Sequence, residues 1–250
     1  MKINILLFAL MLGSALSAQR PSALDNGKFI VKDQQQLLYG GSEEEHFKID
    51  NLDLKKEQFH YGLGRERFPA LLEPNFESVT EANRHWKDED RFLVAKKGNT
   101  VKAYSVKDLT RHEVVNDVLE GEPIFAAYCI LADLGAVYKR TYNDKVFTFA
   151  VSGYTYFDPK VWDGLDGFIL WDRETESLWW PLIDKAVSGD LKGVPLLKLE
   201  DLYWEDTTWK SVKNKYPKAE VLITGQDFER PKSWRSYDNV SDVVKNYTQK

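Results

Sequence analysis

The sequence predicts an α+β protein in which short antiparallel strands fill the middle of the chain and helices flank them. Between Arg91 and Trp180, short runs of β-branched and aromatic residues alternate with turn residues, which is typical of antiparallel strands. Outside this stretch apolar residues recur at helical spacing, and the chain lacks the strand–helix alternation of a parallel α/β fold. The 250 residues, 43% of them hydrophobic, are enough to bury one sizeable core or two small ones.

Residues 1–18 have the pattern of a secretory signal peptide. Met1-Lys2 is a basic start, Ile5–Leu12 is apolar, and small residues follow up to Ala18. The apolar run is shorter than the roughly 20 residues that span a bilayer, and no later run is long enough. We therefore expect a soluble, exported protein, periplasmic or secreted, with no transmembrane segment.

The remainder divides into an irregular N-terminal arm at 19–60, an α+β domain at 61–225 and a C-terminal tail at 226–250. The arm is polar and rich in turn residues, with one short strand predicted at Lys28–Val31. Ser78-Val79-Thr80-Glu81 is a capping box, which predicts a helix that begins there and continues to about Lys87.

Strands dominate the middle of the predicted domain. Phe92–Lys96 and Val101–Tyr104 flank Gly98-Asn99, which predicts a β-hairpin. Further strands are predicted at Phe125–Cys129, Ala136–Thr141, Val146–Val151, Phe168–Asp172, Ser177–Trp180 and Glu220–Ile223. Helices are predicted at Asp206–Tyr216, and at Asp242–Tyr247 within the tail.

A second predicted hairpin brings together the single cysteine and one of the four histidines. Glu120-Gly121 suits a two-residue loop between strands at 111–119 and 122–129, because glycine accepts the positive φ of such turns. In that register His112 lies opposite Cys129, and Asn116 lies opposite Phe125. Opposed Cβ atoms are about 4.5–5.5 Å apart, so His112, Asn116 and Cys129 would share one face.

The predicted His112–Cys129 pair has three interpretations. The imidazole could activate the thiol as a nucleophile, or the two side chains could bind copper or zinc. Alternatively, the histidine is hydrogen-bonded to the backbone beside a buried, inert thiol. With one cysteine in the chain, no intramolecular disulfide can form.

Four motifs follow one another along the domain. They are His112-Glu113-Val114-Val115-Asn116-Asp117, Tyr128-Cys129, Phe149-Ala150-Val151-Ser152-Gly153 and Asp172-Arg173-Glu174-Thr175-Glu176-Ser177-Leu178-Trp179. This series resembles the uncharacterised DUF3179 family, whose corresponding patterns are H-E-I-V-N-D, Y-C-P-L-C-G, F-x-V-S-G and D-R-E-T-G-S-L-W. The resemblance covers roughly residues 60–223, and it implies no established activity.

The chain departs from the family pattern at its cysteines. Where the family has a second cysteine three positions after the first, this chain has Ala132. Cys129 alone cannot form the disulfide or the two-thiolate metal site of a C-x-x-C pair. The chain also inserts residues 157–167, whose Trp162 and Asp166 could reshape the rim of a pocket.

Carboxylates beside tryptophans offer a different hypothesis. Trp171, Asp172 and Arg173 precede Trp179, and glycoside hydrolases place an acid and a nucleophile near sugar-stacking rings in a comparable way. The same residues suit a turn between two strands, in which Asp172 accepts local backbone hydrogen bonds. The sequence favours the turn and leaves a glycan-active protein as an alternative.

We therefore predict a ligand-binding or accessory module, with an extracellular glycan hydrolase or binding protein and a thiol- or copper-binding protein as alternatives. Whether it is an enzyme is left open. The candidate catalytic residues are His112, Glu113, Cys129, Asp172 and Arg173; the candidate binding residues are Asn116, Tyr128, Trp171 and Trp179; the candidate metal ligands are His112 and Cys129. The net charge of −5 argues against nucleic acid as a partner. A small molecule, a glycan or a protein remains open, and no cofactor is evident apart from the copper or zinc considered above.

Overall fold

The protein is mostly β, so the predicted α+β class with flanking helices is wrong. A computed structural model describes residues 24–225 and 240–248. In these residues the chain forms nineteen strands and four α-helices, and none of these helices is longer than nine residues. The predicted signal peptide at 1–18 and residues 226–239 of the predicted tail lie outside the described residues.

The elements are numbered in chain order. The first ten strands are β1 (Asp25–Asn26), β2 (Phe29–Lys32), β3 (Gln35–Leu38), β4 (Phe47–Lys48), β5 (Phe59–Tyr61), β6 (Phe76–Ser78), β7 (Arg91–Lys97), β8 (Thr100–Ser105), β9 (Val114–Leu119) and β10 (Glu122–Cys129). The others are β11 (Leu134–Lys139), β12 (Thr141–Tyr142), β13 (Lys145–Val146), β14 (Phe149–Tyr156), β15 (Gly167–Asp172), β16 (Leu178–Trp180), β17 (Lys185–Ser188), β18 (Tyr203–Thr208) and β19 (Glu220–Leu222). The α-helices are α1 (Val79–Ala82), α2 (Val106–His112), α3 (Trp209–Lys215) and α4 (Val240–Thr248), with short 3-10 turns at Glu43–Glu45, Lys56–Gln58 and Pro181–Ile183.

Two larger sheets and a three-stranded sheet organise the described chain. The six-stranded sheet has the order β1-β5-β14-β15-β16-β17, and the five-stranded sheet has the order β18-β7-β8-β19-β6. Nearly all neighbours are antiparallel, the exception in these sheets being β19 beside β8. The three-stranded sheet β11-β10-β9 carries the second predicted hairpin, β2-β3-β4 is another three-stranded sheet, and β12-β13 is a two-stranded one.

The helices are short because they cap and connect strands. The capping box of α1 is present, with Ser78 and Glu81 each binding the other's backbone N–H. The helix ends at Ala82 rather than Lys87, and the side chain of its C-cap Asn83 accepts a hydrogen bond from Trp209 Nε1 of α3. The helix at α4 confirms the one predicted in the tail. In the described part of the chain, no helix is long and apolar enough to cross a membrane.

The segment predicted to be an irregular arm is part of the sheet structure. From Asp25 onward it contains β1 to β4 and most of β5, where one strand was expected. β5 lies between β1 and β14 in the six-stranded sheet, and it pairs with β14 from Phe59 to Tyr61. Phe47 and Phe59 are buried in the main core. Because these partners lie about a hundred residues away, the local pattern did not predict them.

The predicted register of the β9–β10 hairpin is confirmed. Leu119 pairs with Glu122 across Glu120-Gly121, and Asn116 pairs with Phe125. Side chains alternate along β10: Phe125, Ala127 and Cys129 point into the main core, and Ile124, Ala126 and Tyr128 point into a second core. The hairpin is therefore buried on both faces, and it positions Cys129 at the edge of the main core.

Candidate functional site

In the β9–β10 hairpin the last strand pair is Val114–Ala127, two residues short of the predicted His112–Cys129 pair. α2 begins at Val106 after its N-cap Ser105, whose side chain accepts from the Asp108 N–H, and it ends at His112. Glu113 then adopts a left-handed conformation with φ of 55°, and β9 starts only at Val114. His112 is thus the last helical residue, and its Nδ1 lies 2.7 Å from the Pro69 carbonyl oxygen. The predicted cross-strand pair is wrong, because a helix end replaces the start of the strand.

Cys129 lies at the end of β10 and is buried. Its sulfur accepts hydrogen bonds from the Phe168 N–H at 3.3 Å and the Ala132 N–H at 3.4 Å, and the thiol lies 3.7 Å from the Asp166 carbonyl oxygen. Burial raises the pKa of the Cys129 thiol to about 12, and the negative charge of Glu113 adds to the shift. The thiol is therefore protonated at neutral pH and is a weak nucleophile.

A cavity of about 310 Å³ lies beside Cys129 and Glu113. Its wall is made of apolar and aromatic side chains and of glycine backbone: Leu24, Phe68, Ile130, Leu131, Val151, Tyr154, Phe168, Gly62, Leu63, Gly64 and Gly153, together with Thr155. Leu63, Ile130 and Leu131 are 42%, 39% and 38% exposed and form its rim. We call this space the Glu113 cavity.

Glu113 brings a carboxyl group to the wall of this apolar cavity. The residue is only 9% exposed. Burial raises its pKa to about 7, although the Ile130 backbone N–H, which favours the charged form, opposes the shift. Among the described residues, no lysine, arginine or histidine side chain forms an ion pair with it. A carboxyl group without a counterion thus lies in a mainly apolar environment.

The comparison with protein families agrees with the motifs along the chain. A family model described as "Protein of unknown function (DUF3179)" matches residues 65–249, which is well over half of the chain. The chain belongs to the DUF3179 family. No curated protein and no solved structure matches it. The family resemblance predicted from the motifs is therefore confirmed.

The first DUF3179 motif, residues 112–117, divides into structural residues and one residue at the cavity. Asn116 donates to the Phe149 carbonyl at 2.8 Å and accepts from the Phe149 N–H at 2.9 Å, so it joins β9 to β14. Asp117 binds Lys102 Nζ at 2.8 Å and accepts from Tyr104. Of the motif residues, Glu113 lines the cavity, whereas the side chains of His112, Asn116 and Asp117 are bound elsewhere in the fold.

The last DUF3179 motif, residues 172–179, forms a buried turn. Asp172 accepts from Trp179 Nε1 at 2.8 Å and from the Thr175 N–H at 2.7 Å, and burial raises its pKa to about 7. Arg173 forms a double hydrogen bond with Glu66. Trp171 and Trp179 are fully buried, so neither ring has a face exposed for a sugar. The structure therefore brings these candidates together as a turn, away from the Glu113 cavity.

Tyr128 and Ala132 lie beside Cys129 in the sequence but do not face the Glu113 cavity. Tyr128 points into the second core and its hydroxyl binds Asp133. Ala132 lines a neighbouring second cavity of about 220 Å³, of which Cys129 and Phe168 also form part of the wall. Within the described residues, no group of three or more His, Cys, Asp or Glu side chains is arranged to hold a metal ion.

Glycine backbone shapes one wall of the cavity, and the sequence interpretation did not assign it a role. The Gly62 and Leu63 N–H groups both donate to the Gly153 carbonyl, at 3.0 and 3.1 Å. Gly153 has φ of 85°, and a Cβ there would lie 2.0 Å from the Leu63 carbonyl oxygen. The β14–β15 register shifts at this point, between Val151 and Tyr154. A glycine inside a strand pattern is a signal for such a bulge, and it marks this wall of the cavity.

A second polar group lies near the cavity, and its contact with His60 was not predicted. Asp166 Oδ2 lies 2.8 Å from His60 Nδ1 and accepts from the Thr155 hydroxyl at 3.0 Å. Thr155 itself lines the Glu113 cavity. Asp166 lies within the insertion at 157–167, whereas His60 reaches it through the β5–β14 pairing. In the sequence, the insertion was the signal for Asp166. The position of His60 had no such signal, because it depends on the long-range pairing of β5 with β14.

Proposed function

We propose that this protein binds a small, largely apolar molecule in the Glu113 cavity. The observation that carries the proposal is an apolar space of about 310 Å³ with a buried carboxyl group in its wall. Small-molecule sites are typically concave, of about 300 Å³ or more, and mostly apolar with a few placed polar groups. The Glu113 cavity has these properties.

Two features of the Glu113 cavity are unfavourable for the stability of the protein, and both support a binding role. Protein interiors are close-packed, so a cavity of this size forgoes favourable dispersion contacts. A buried carboxyl group without a counterion adds a desolvation cost. Sites at which a fold accepts such costs together are often functional. A bound apolar molecule would restore the contacts of the wall.

The proposal gives Cys129 the role of a wall residue. Its raised pKa, which burial causes, does not favour nucleophilic attack. We further propose, from residues 1–18 alone, that binding takes place outside the cytoplasm.

Binding of N-phenyl-1-naphthylamine, a neutral dye that fluoresces in apolar surroundings, tests the proposal. We expect saturable binding, and we expect Val151→Phe, which fills the Glu113 cavity, to weaken it at least about tenfold. Val146→Phe, on exposed β13, is the matched control. Ala136→Phe, which narrows the second cavity, should leave binding unchanged. Unsaturable fluorescence, or equal binding by Val151→Phe in its folded form, would contradict the proposal.

A further inference from the structure

The described residues that line the Glu113 cavity include two groups that can carry a negative charge. Glu113 and Cys129 both become negative when they ionise, and the described residues of the lining include no lysine, arginine or histidine. Their charges interact, because Glu113 disfavours the thiolate of Cys129. A second negative charge in this space would be unfavourable, whereas a positive one would be attracted.

Two other buried carboxylates of this fold have a basic partner, which Glu113 does not have among the described residues. Glu66 binds the Arg173 guanidinium at 2.8 Å, and Asp117 binds Lys102 Nζ at 2.8 Å. Glu113 has the Ile130 backbone N–H as its contact instead. A cation that enters the cavity could therefore form the ion pair that the described part of the chain does not supply.

The aromatic part of the wall is compatible with the same kind of ligand. Phe68, Tyr154 and Phe168 line the cavity together with Glu113. The faces of aromatic rings attract ammonium groups, and the attraction increases where water is excluded. The rings also supply apolar surface for the rest of a ligand.

From these observations we propose that the ligand is an apolar amine, whose ammonium group donates hydrogen bonds to the Glu113 carboxylate while its hydrocarbon part fills the cavity. This inference rests on the proposed function and narrows it to one class of ligand. Hydrogen bonds between charged groups are stronger than those between neutral ones. A ligand with an ammonium group should therefore bind more tightly than a neutral ligand of similar shape.

Three compounds that share one ring system and differ in the head group test the inference: 1-naphthylmethylamine, 1-naphthalenemethanol and 1-naphthoate. Each is titrated at neutral pH by displacement of N-phenyl-1-naphthylamine. We expect the amine to bind about tenfold more tightly than the alcohol, and the carboxylate to bind most weakly. Glu113→Gln should remove the preference for the amine over the alcohol, with each affinity measured against the dye affinity of the variant itself.

Glu120→Gln is the matched control, because Glu120 also has a positive φ of 53° but lies in the hairpin turn outside the cavity. It should keep the preference for the amine. An alcohol or carboxylate that binds as tightly as the amine overturns the inference and leaves the proposed function standing. Failure of the dye and of all three compounds to bind overturns both. If Glu113→Gln does not fold, the order of the three compounds on the unmodified protein decides the inference.

Discussion

Glu113 occupies a backbone conformation in which glycine is the usual residue. Its φ of 55° follows the last turn of α2, where its N–H still donates to the Leu109 carbonyl. Glycine adopts this conformation without a steric cost, whereas other residues pay one. The chain nevertheless has a glutamate there, and the side chain is buried. This combination of backbone and burial costs indicates that the side chain has a use.

The raised pKa of Glu113 predicts how stability depends on pH. Burial moves this pKa from 4.5 to about 7, so between these values the folded protein keeps a proton that the unfolded chain has lost. The carboxyl group therefore lowers stability as pH rises through this window. Glu113→Gln does not titrate. It should match the unmodified protein near pH 4.5 and exceed its unfolding free energy by up to about 3 kcal/mol above pH 7.

Urea unfolding at a series of pH values measures this difference. Glu120→Gln is again the control, and its curve should stay parallel to that of the unmodified protein. The variant and the unmodified protein share all other titrating groups. The contributions of those groups therefore cancel in the difference between the two unfolding free energies. A constant difference between Glu113→Gln and the parent across the window would contradict the raised pKa.

Burial of Cys129 predicts a slow reaction with alkylating reagents. A thiol pKa of about 12 leaves little thiolate at neutral pH, and the residue is buried. Iodoacetamide should modify Cys129 at least about a hundredfold more slowly than an exposed thiol of ordinary pKa. The matched comparison is Ile130→Cys in a Cys129→Ser background, because Ile130 is the exposed next residue. Equal rates measured by mass spectrometry would restore the hypothesis of a reactive cysteine.

At the scale of elements, the hairpin shows how far local pattern predicts structure. The turn at Glu120-Gly121 was enough to predict the β9–β10 register, because a two-residue loop leaves one pairing. The same reasoning failed at His112, because the Ser105 cap precedes a helix whose last residue is His112. The Ser105 cap is a local signal for this helix, but the register was counted from the turn alone. The candidate site therefore retained Glu113 and Cys129 and lost His112.

Asn116 is the hydrogen-bonded link between two sheets, and its removal should be costly. Its side-chain amide satisfies both the N–H and the carbonyl of Phe149 in a buried environment. Asn116→Ala leaves both groups without this partner, and we expect a loss of about 2–4 kcal/mol in unfolding free energy. Val118→Ala, an exposed position on the same strand, is the control. A loss for Asn116→Ala no greater than that of the control in urea unfolding would rule out the linking role.

At the scale of the whole molecule, long-range strand pairs decide what sequence reasoning missed. The central strands and their turns were predictable, because each hairpin is local. The segment at 25–61 was not, since β5 finds its partner in β14. The same pairing positions the glycine wall and His60, so the missing part of the fold and the missing part of the site have one cause. The wall of the Glu113 cavity thus combines residues from near the start of the described main segment with residues from its middle.

This assembly predicts that the segment before residue 60 is integral to folding. Phe47 is fully buried, where its ring packs against Trp171 at 5.6 Å and against the Arg65 guanidinium at 3.8 Å. Phe47→Ala should lower the unfolding free energy by about 3–5 kcal/mol, because it leaves a cavity in the main core. We expect a single unfolding transition, with tryptophan fluorescence and far-ultraviolet circular dichroism changing together in guanidinium. Val31→Ala, exposed on β2 of the same segment, should have little effect. Two separated transitions, or a loss for Phe47→Ala as small as that of Val31→Ala, would mean that the segment folds apart from the core it covers.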